Sequence, residues 1–392
     1  MLKRNLGEKY SPLYFLSALG AGGLSVSFFV YLTFMVPHQG TPIISFKHLM
    51  IFFNNNSMAL NILVITVLTI IAVLALLHLF LLWWNISELN QFKTTKAYEI
   101  LHSSNTEITM MAIPLTLAMT INVMFAVGSL FVPGLWTVVE YLFPVAILSF
   151  LAVGLYGLKL FLKYLQRLML NGDFDLSNNN NLSQMLSIFA FSMVAVGLAA
   201  PGAMSHIKIV NAIAMFGSIF FLSVAILFGI MKLVLGFRAI LSHGLAEATS
   251  PSIWMIIPIL TLIGITLVRL KFGMNHGLGA QVQMPDFFVL TSVILSIQLL
   301  FGFMGYSVLK KLGYFKDYLN GNKANAGSYA LVCPGVAFNV FGQFFIFFGL
   351  VKNNILPIDS IAFYMFLTPF VVVQFFTIKT LFKLNNKLIF TK

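Results

Sequence analysis

Apolar residues run on along this chain rather than alternating with polar ones. Uninterrupted apolar stretches fall at about 12–36, 58–84, 108–132, 136–165, 182–204, 208–236, 251–270, 286–309, 327–351 and 357–382. A hydrocarbon core about 30 Å thick takes about 20 residues of helix at 1.5 Å each, so every stretch suffices for one crossing. Membrane strands would instead show as segments of about ten residues with period two. The pattern predicts an all-α polytopic membrane protein, a single transmembrane domain of ten helices over residues 1–392. The third and fourth helices are joined through Val132-Pro-Gly-Leu-Trp136, and the fifth and sixth through Ser205-His-Ile-Lys208. Connections this short force antiparallel neighbours, and the expected building unit is a helical hairpin used five times.

Helix breakers are unevenly shared among the ten. The first helix holds Gly20, Gly22 and Gly23 in SALGAGGLS, the third Pro114, the fifth Gly197, Pro201 and Gly202, the seventh Pro258, and the ninth Pro334-Gly335. The second has neither residue, the eighth none before Gly302, and the fourth, sixth and tenth carry Pro144, scattered glycines and Pro369. Backbone groups freed by a breaker are tolerated at membrane depth only where protein covers them or they line a water-filled cavity. Odd-numbered helices are therefore expected inside and even-numbered ones outside. The expected pore lining is Gly20, Gly22, Gly23, Ser25, Pro114, Thr116, Pro201, Pro258, Thr261, Cys333, Pro334 and Gly335. The competing explanation is that small residues simply let helices pack closely.

Composition strengthens the membrane reading. At 59% hydrophobic and 9% charged, the chain has more apolar surface than a soluble core can hide. Its net charge of +12 does not point to nucleic acid, because no water-facing domain gathers the basic residues. With the N-terminus inside, Lys47, Lys208, Arg269, Lys271 and Lys352 fall outside, and the other eighteen of the 23 Lys and Arg fall inside. This asymmetry predicts that both termini are cytoplasmic, in a bacterial inner (plasma) membrane.

Candidate chemistry is sparse. His78 is the only histidine deep in a span and is expected to be a packed, hydrogen-bonded residue, so bis-histidine haem ligation is not predicted. A single cysteine, Cys333, supports neither an internal disulfide nor a multi-thiolate site, and no metal or cofactor is expected. Glu140, near the outer start of the fourth helix in WTVVEYLFP, is the candidate proton site, with hydration or a basic partner as the alternative. No nucleotide loop, HExxH or nucleophile–base set is present, which predicts neither ATP-driven transport nor an enzyme. An inner lining of hydroxyls, amides and backbone N–H groups without carboxylates suits an anion better than a cation. A second reading is a membrane-embedded enzyme or sensor at the cytoplasmic interface, acting on a lipid-linked substrate. It would draw on Glu88, Glu99, His102, Glu107, Asp173 and Asp175 in loops 85–107 and 167–181.

Several stretches resemble a known family: FLSALGAGGLS in the first helix, MAIPLTLAM in the third, SPSIWMIIPILTLIG in the seventh and SYALVCPGVAF in the ninth. Together with the five hairpins they are similar to the tellurite-resistance/dicarboxylate transporter family, which includes fungal malate permeases and the plant slow anion channels. The resemblance implies a homotrimer of independent pores, each lined by five kinked odd helices. These would pass small inorganic or organic anions such as dicarboxylates, sulfite, nitrate or chloride, as a channel or a proton-coupled carrier. It also implies a ninth-helix phenylalanine that occludes the pore. Here Cys333 stands at the matching place, which makes Phe338, about one turn further along, the candidate gate.

Overall fold

The computed structural model describes residues 2–172 and 180–390. Among the described residues ten helices are long and apolar enough to cross a membrane: α1 (Pro12–Met35), α2 (Met58–Phe92), α3 (Asn105–Phe131), α4 (Leu135–Asn171), α5 (Ser183–Met204), α6 (Lys208–His243), α7 (Glu247–Leu278), α8 (Met284–Lys311), α9 (Ala326–Val351) and α10 (Ile361–Leu388). Two shorter helices, Phe46–Asn55 and Lys96–His102, occupy connections that the hydropathy pattern leaves blank. The Lys3 N–H donates to the Ile389 carbonyl at 2.8 Å, so both ends of the chain lie on one face, called here the terminal face.

Burial separates the helices by parity. Between 61 and 94% of the apolar stretch is buried in each odd helix, against 22 to 33% in each even one. Each odd helix packs on the next, and α9 closes back onto α1 to make an inner ring. Each even helix lies outside against its hairpin partner and turns Leu, Ile and Phe outward, such as Leu76, Leu148 and Leu227. In lipid this costs nothing, because the bilayer is as apolar as the side chains.

The five inner helices share a local device. Each begins on the terminal face as a 3-10 stretch, at Pro12–Tyr14, Asn105–Met111, Ser183–Met185, Glu247–Met255 and Ala326–Leu331, and then continues as α-helix. Pro114, Pro258 and Pro334 are each the third residue of the α segment that follows. Amides of a first α turn have no i−4 carbonyl to bond, so a proline there forfeits little. The interruptions expected on odd helices are present, and on α3, α7 and α9 they mark a change of helix type near the terminal face. Hydroxyls satisfy the carbonyls of these tight turns: Ser17 donates to Tyr14 O (2.7 Å), Ser187 to Gln184 O (3.1 Å) and Ser250 to Glu247 O (2.8 Å).

Candidate functional site

The inner ring surrounds a cavity of about 770 Å3. It reaches the loop layer opposite the terminal face at His38, Thr41, Lys352 and Ile358, and extends inward to Leu19, Phe189, Pro258 and Cys333. All five inner helices set phenylalanines in its wall: Phe29 of α1, Phe125 of α3, Phe189 of α5, Phe272 of α7 and Phe344 of α9. Phe143 and Phe150 of α4 also reach it. Gly197 allows this, since a Cβ at that position would strike the Phe150 ring.

One charge sits about midway along this apolar chamber. Because α7 continues to Leu278, Arg269 is a membrane-depth residue and not the loop residue that the hydropathy boundary at 270 suggested. Its Nη1 donates to the Val196 carbonyl of α5 at 2.8 Å. Among the described residues no carboxylate pairs with it, and none lines the cavity. The other lining groups able to carry positive charge are Lys352, His38 and His276. His276 Nε2 lies 2.9 Å from His206 Nδ1. A partly buried guanidinium without a carboxylate partner attracts an anion, since no counter-ion already neutralises it.

The inner end is closed. A second void of about 10 Å3 lies towards the terminal face and shares Phe189, Pro258 and Cys333 with the main cavity. These three side chains form a septum one residue thick. The small void is at the limit of holding one water.

Of the expected lining, Gly20, Gly23, Pro201, Pro258, Thr261 and Cys333 face the cavity. Pro334 faces only the small void. The remainder are corrected by their packing. Ser25 donates to Ile71 O of α2 (3.0 Å), and Thr116 donates to Phe15 O of α1 (3.1 Å). Pro114 lies against Gly157 of α4, while a Cβ on Gly335 would collide with Thr377 of α10. Gly22 faces His78 of α2, whose Nδ1 donates to the Ala18 carbonyl at 2.7 Å while its Nε2 lies 2.9 Å from Thr120 Oγ1. His78 is thus the packed, bonded histidine expected of it. A Cβ at Gly22 would lie 2.7 Å from that Nδ1. Gly22→Ala should therefore cost about 1–3 kcal/mol of stability, read as a lower unfolding midpoint in detergent.

Two further expectations move. Phe338 does not face the cavity: it packs on Phe370 of α10 with ring centroids 4.9 Å apart, so it is not placed to close this path. Phe189 occupies the septum instead. Glu140 accepts hydrogen bonds from Ser205 Oγ (2.7 Å) and the His206 N–H (2.8 Å), clamping the α5–α6 turn outside the cavity wall. The expected lining of hydroxyls is likewise replaced by one of aromatic rings, because most hydroxyls are spent on neighbouring carbonyls.

Charged groups at the terminal face fasten segments together. Glu88 accepts the amides of Asn5 and Leu6 at 3.1 and 2.8 Å, and Glu107 pairs with His102 at 2.7 Å and Arg167 at 3.2 Å. Burial, with Glu88 nearby, pushes the Tyr10 phenol well above its usual range. Asp173 and Asp175 lie outside the described residues.

Cys333 is the septum residue open to chemical test. A small thiol reagent or silver applied from the cavity side should react with the native chain and not with Cys333→Ser, read as a mass increase or bound metal. Equal reaction of both would place the reactive group elsewhere.

Comparison of the chain with protein-family models, with curated proteins and with solved structures gives no match.

Proposed function

We propose that this protein conducts anions across a membrane through the cavity enclosed by α1, α3, α5, α7 and α9. The observation that carries the reading is Arg269, a guanidinium without a carboxylate partner, set in a wall that has no acidic residue among those described. A cation would meet only repulsion there. An anion entering from the loop layer passes Lys352 and His276 and then finds a partly buried charge with donors beyond the one used by Val196 O. The septum of Phe189, Pro258 and Cys333 holds the path shut towards the terminal face, so passage requires these side chains to move. Membership of the tellurite-resistance/dicarboxylate transporter family belongs to the same proposal, supported by the five hairpins and the inner ring of odd helices.

Purified protein in liposomes supplies the test. Chloride, nitrate and malate fluxes are measured beside potassium flux, with the permeant ion on either side. Anion flux exceeding potassium flux about tenfold or more is expected from a path with one fixed positive site. Potassium flux equal to anion flux, or no flux in vesicles of verified orientation and insertion, would overturn the reading.

A further inference from the structure

The cavity is poorly matched to a small hydrated ion. Water occupies about 30 Å3 in the liquid, so a bare inorganic anion of similar size would leave room for about two dozen waters in about 770 Å3. Most of those waters would lie against phenylalanine, leucine and valine side chains, which offer no hydrogen bonds, with only a few polar partners such as Asn122, Arg269, Asn275 and His276. The chamber falls instead in the range of about 300–1,000 Å3 typical of sites for small organic molecules, which combine apolar walls with a few fixed polar groups.

Charge placement narrows the class. Among the described residues Arg269 is the only Lys, Arg, Asp or Glu of the wall inward of the mouth, one turn inward from the ring of Phe272. Lys352 is exposed at the mouth, beyond the phenylalanines. A compact dicarboxylate spans less than the two helical turns, about 10 Å, between Arg269 and His276, so its second carboxylate would lie beside Phe272 short of the next cation. A single carboxylate on an apolar body has no such cost. The guanidinium donors not used by Val196 O can take both carboxylate oxygens, and the body then lies along the rings of α1, α3 and α9.

We propose that the substrate of this cavity is an organic monoanion with an apolar body, of the size of an arylalkyl carboxylate, held by its carboxylate on Arg269. The proposal rests on reading the cavity as an anion path and names what that path selects.

Full-length protein in lipid nanodiscs is titrated calorimetrically with 3-phenylpropanoate, the neutral 3-phenylpropanamide, malate and chloride, with empty nanodiscs as the blank for partition into lipid. The expected order has 3-phenylpropanoate binding about tenfold or more tighter than each of the other three. Arg269→Gln should bring the acid within about twofold of the amide, and Arg269→Lys should keep part of the preference. Phe344→Ala should weaken 3-phenylpropanoate about tenfold and leave chloride unchanged. Malate or chloride binding as tightly as 3-phenylpropanoate, with dependence on Arg269, would overturn the substrate class and leave the anion path standing. Acid and amide binding equally in the native chain, or none of the four binding, would overturn both. If Arg269→Gln does not fold, the Arg269→Lys and Phe344→Ala comparisons still decide.

Discussion

Phe189→Ala should raise anion flux in liposomes by about tenfold or more, without loss of selectivity against potassium. Of the side chains shared by the main cavity and the small void, Phe189 is the one large ring. Pro258 is held by the start of an α segment, and Cys333 is small. Truncating the ring joins the two voids and leaves only the layer of Leu16, Met255, Ala330 and Pro334 between the cavity and the terminal face. A tenfold gain corresponds to lowering a barrier by about 1.4 kcal/mol, modest beside the clash an ion meets at a closed ring. The substitution also removes a buried ring, which in a dry core costs about 3–5 kcal/mol. Phe189→Leu should keep more of the stability and give a smaller gain in flux. Unchanged flux in a folded Phe189→Ala protein would move the closing element to the Leu16–Met255 layer.

Much of the architecture is legible in the sequence because membrane physics makes it so. Continuous apolar runs give ten helices, with the least agreement at ends such as that of α7, which runs to Leu278 and not to 270. The crowding of Pro and Gly on odd helices foretells the inner ring, since freed backbone must be covered. The inward face of each helix was harder to read. Along α9 the residues facing the cavity include Cys333, Ala337, Val340, Phe344 and Phe347, a stripe at helical spacing. Phe338 is one residue off that stripe, rotated by about 100° onto Phe370. A membrane helix is apolar all round, so its pattern carries no phase from which to choose Phe344 over Phe338. Small polar residues misled for a related reason: Ser25 and Thr116 mark where one helix bonds another's carbonyl, not where water runs. Arg269 was visible as a residue but not as a site, because a charge at the edge of a hydropathy window reads as loop. The signal that could have found it is that the helical pattern continues past it, through Phe272 and Gly273, to the Gly279 cap in left-handed conformation (φ +71°).

Arg269→Gln separates binding from folding more sharply than any other substitution. Hydrogen bonds to charged groups contribute about 1.5–3 kcal/mol, so losing the guanidinium should weaken anion binding, and with it flux at low concentration, by about 10- to 100-fold. Stability should move the other way. A cation at membrane depth without a carboxylate partner carries a desolvation cost that its one bond to Val196 O offsets only in part, and neutral Gln is free of it. The apparent unfolding midpoint of the variant should therefore equal or exceed that of the native chain. A permeant anion at a hundred times its native Kd should stabilise the native chain by about 2.7 kcal/mol and the variant by only about 0.4–1.4 kcal/mol, because a site 10- to 100-fold weaker is then only one- to tenfold above its own Kd. Arg269→Lys keeps the charge but loses the planar fork, so an intermediate flux is expected with the selectivity against potassium retained. Flux and stability falling together in Arg269→Gln, with no anion-dependent shift in the native chain, would reduce Arg269 to a strut between α7 and α5. The opposite signs are what a binding residue predicts: the charge that makes the cavity attractive to anions makes the empty protein less stable.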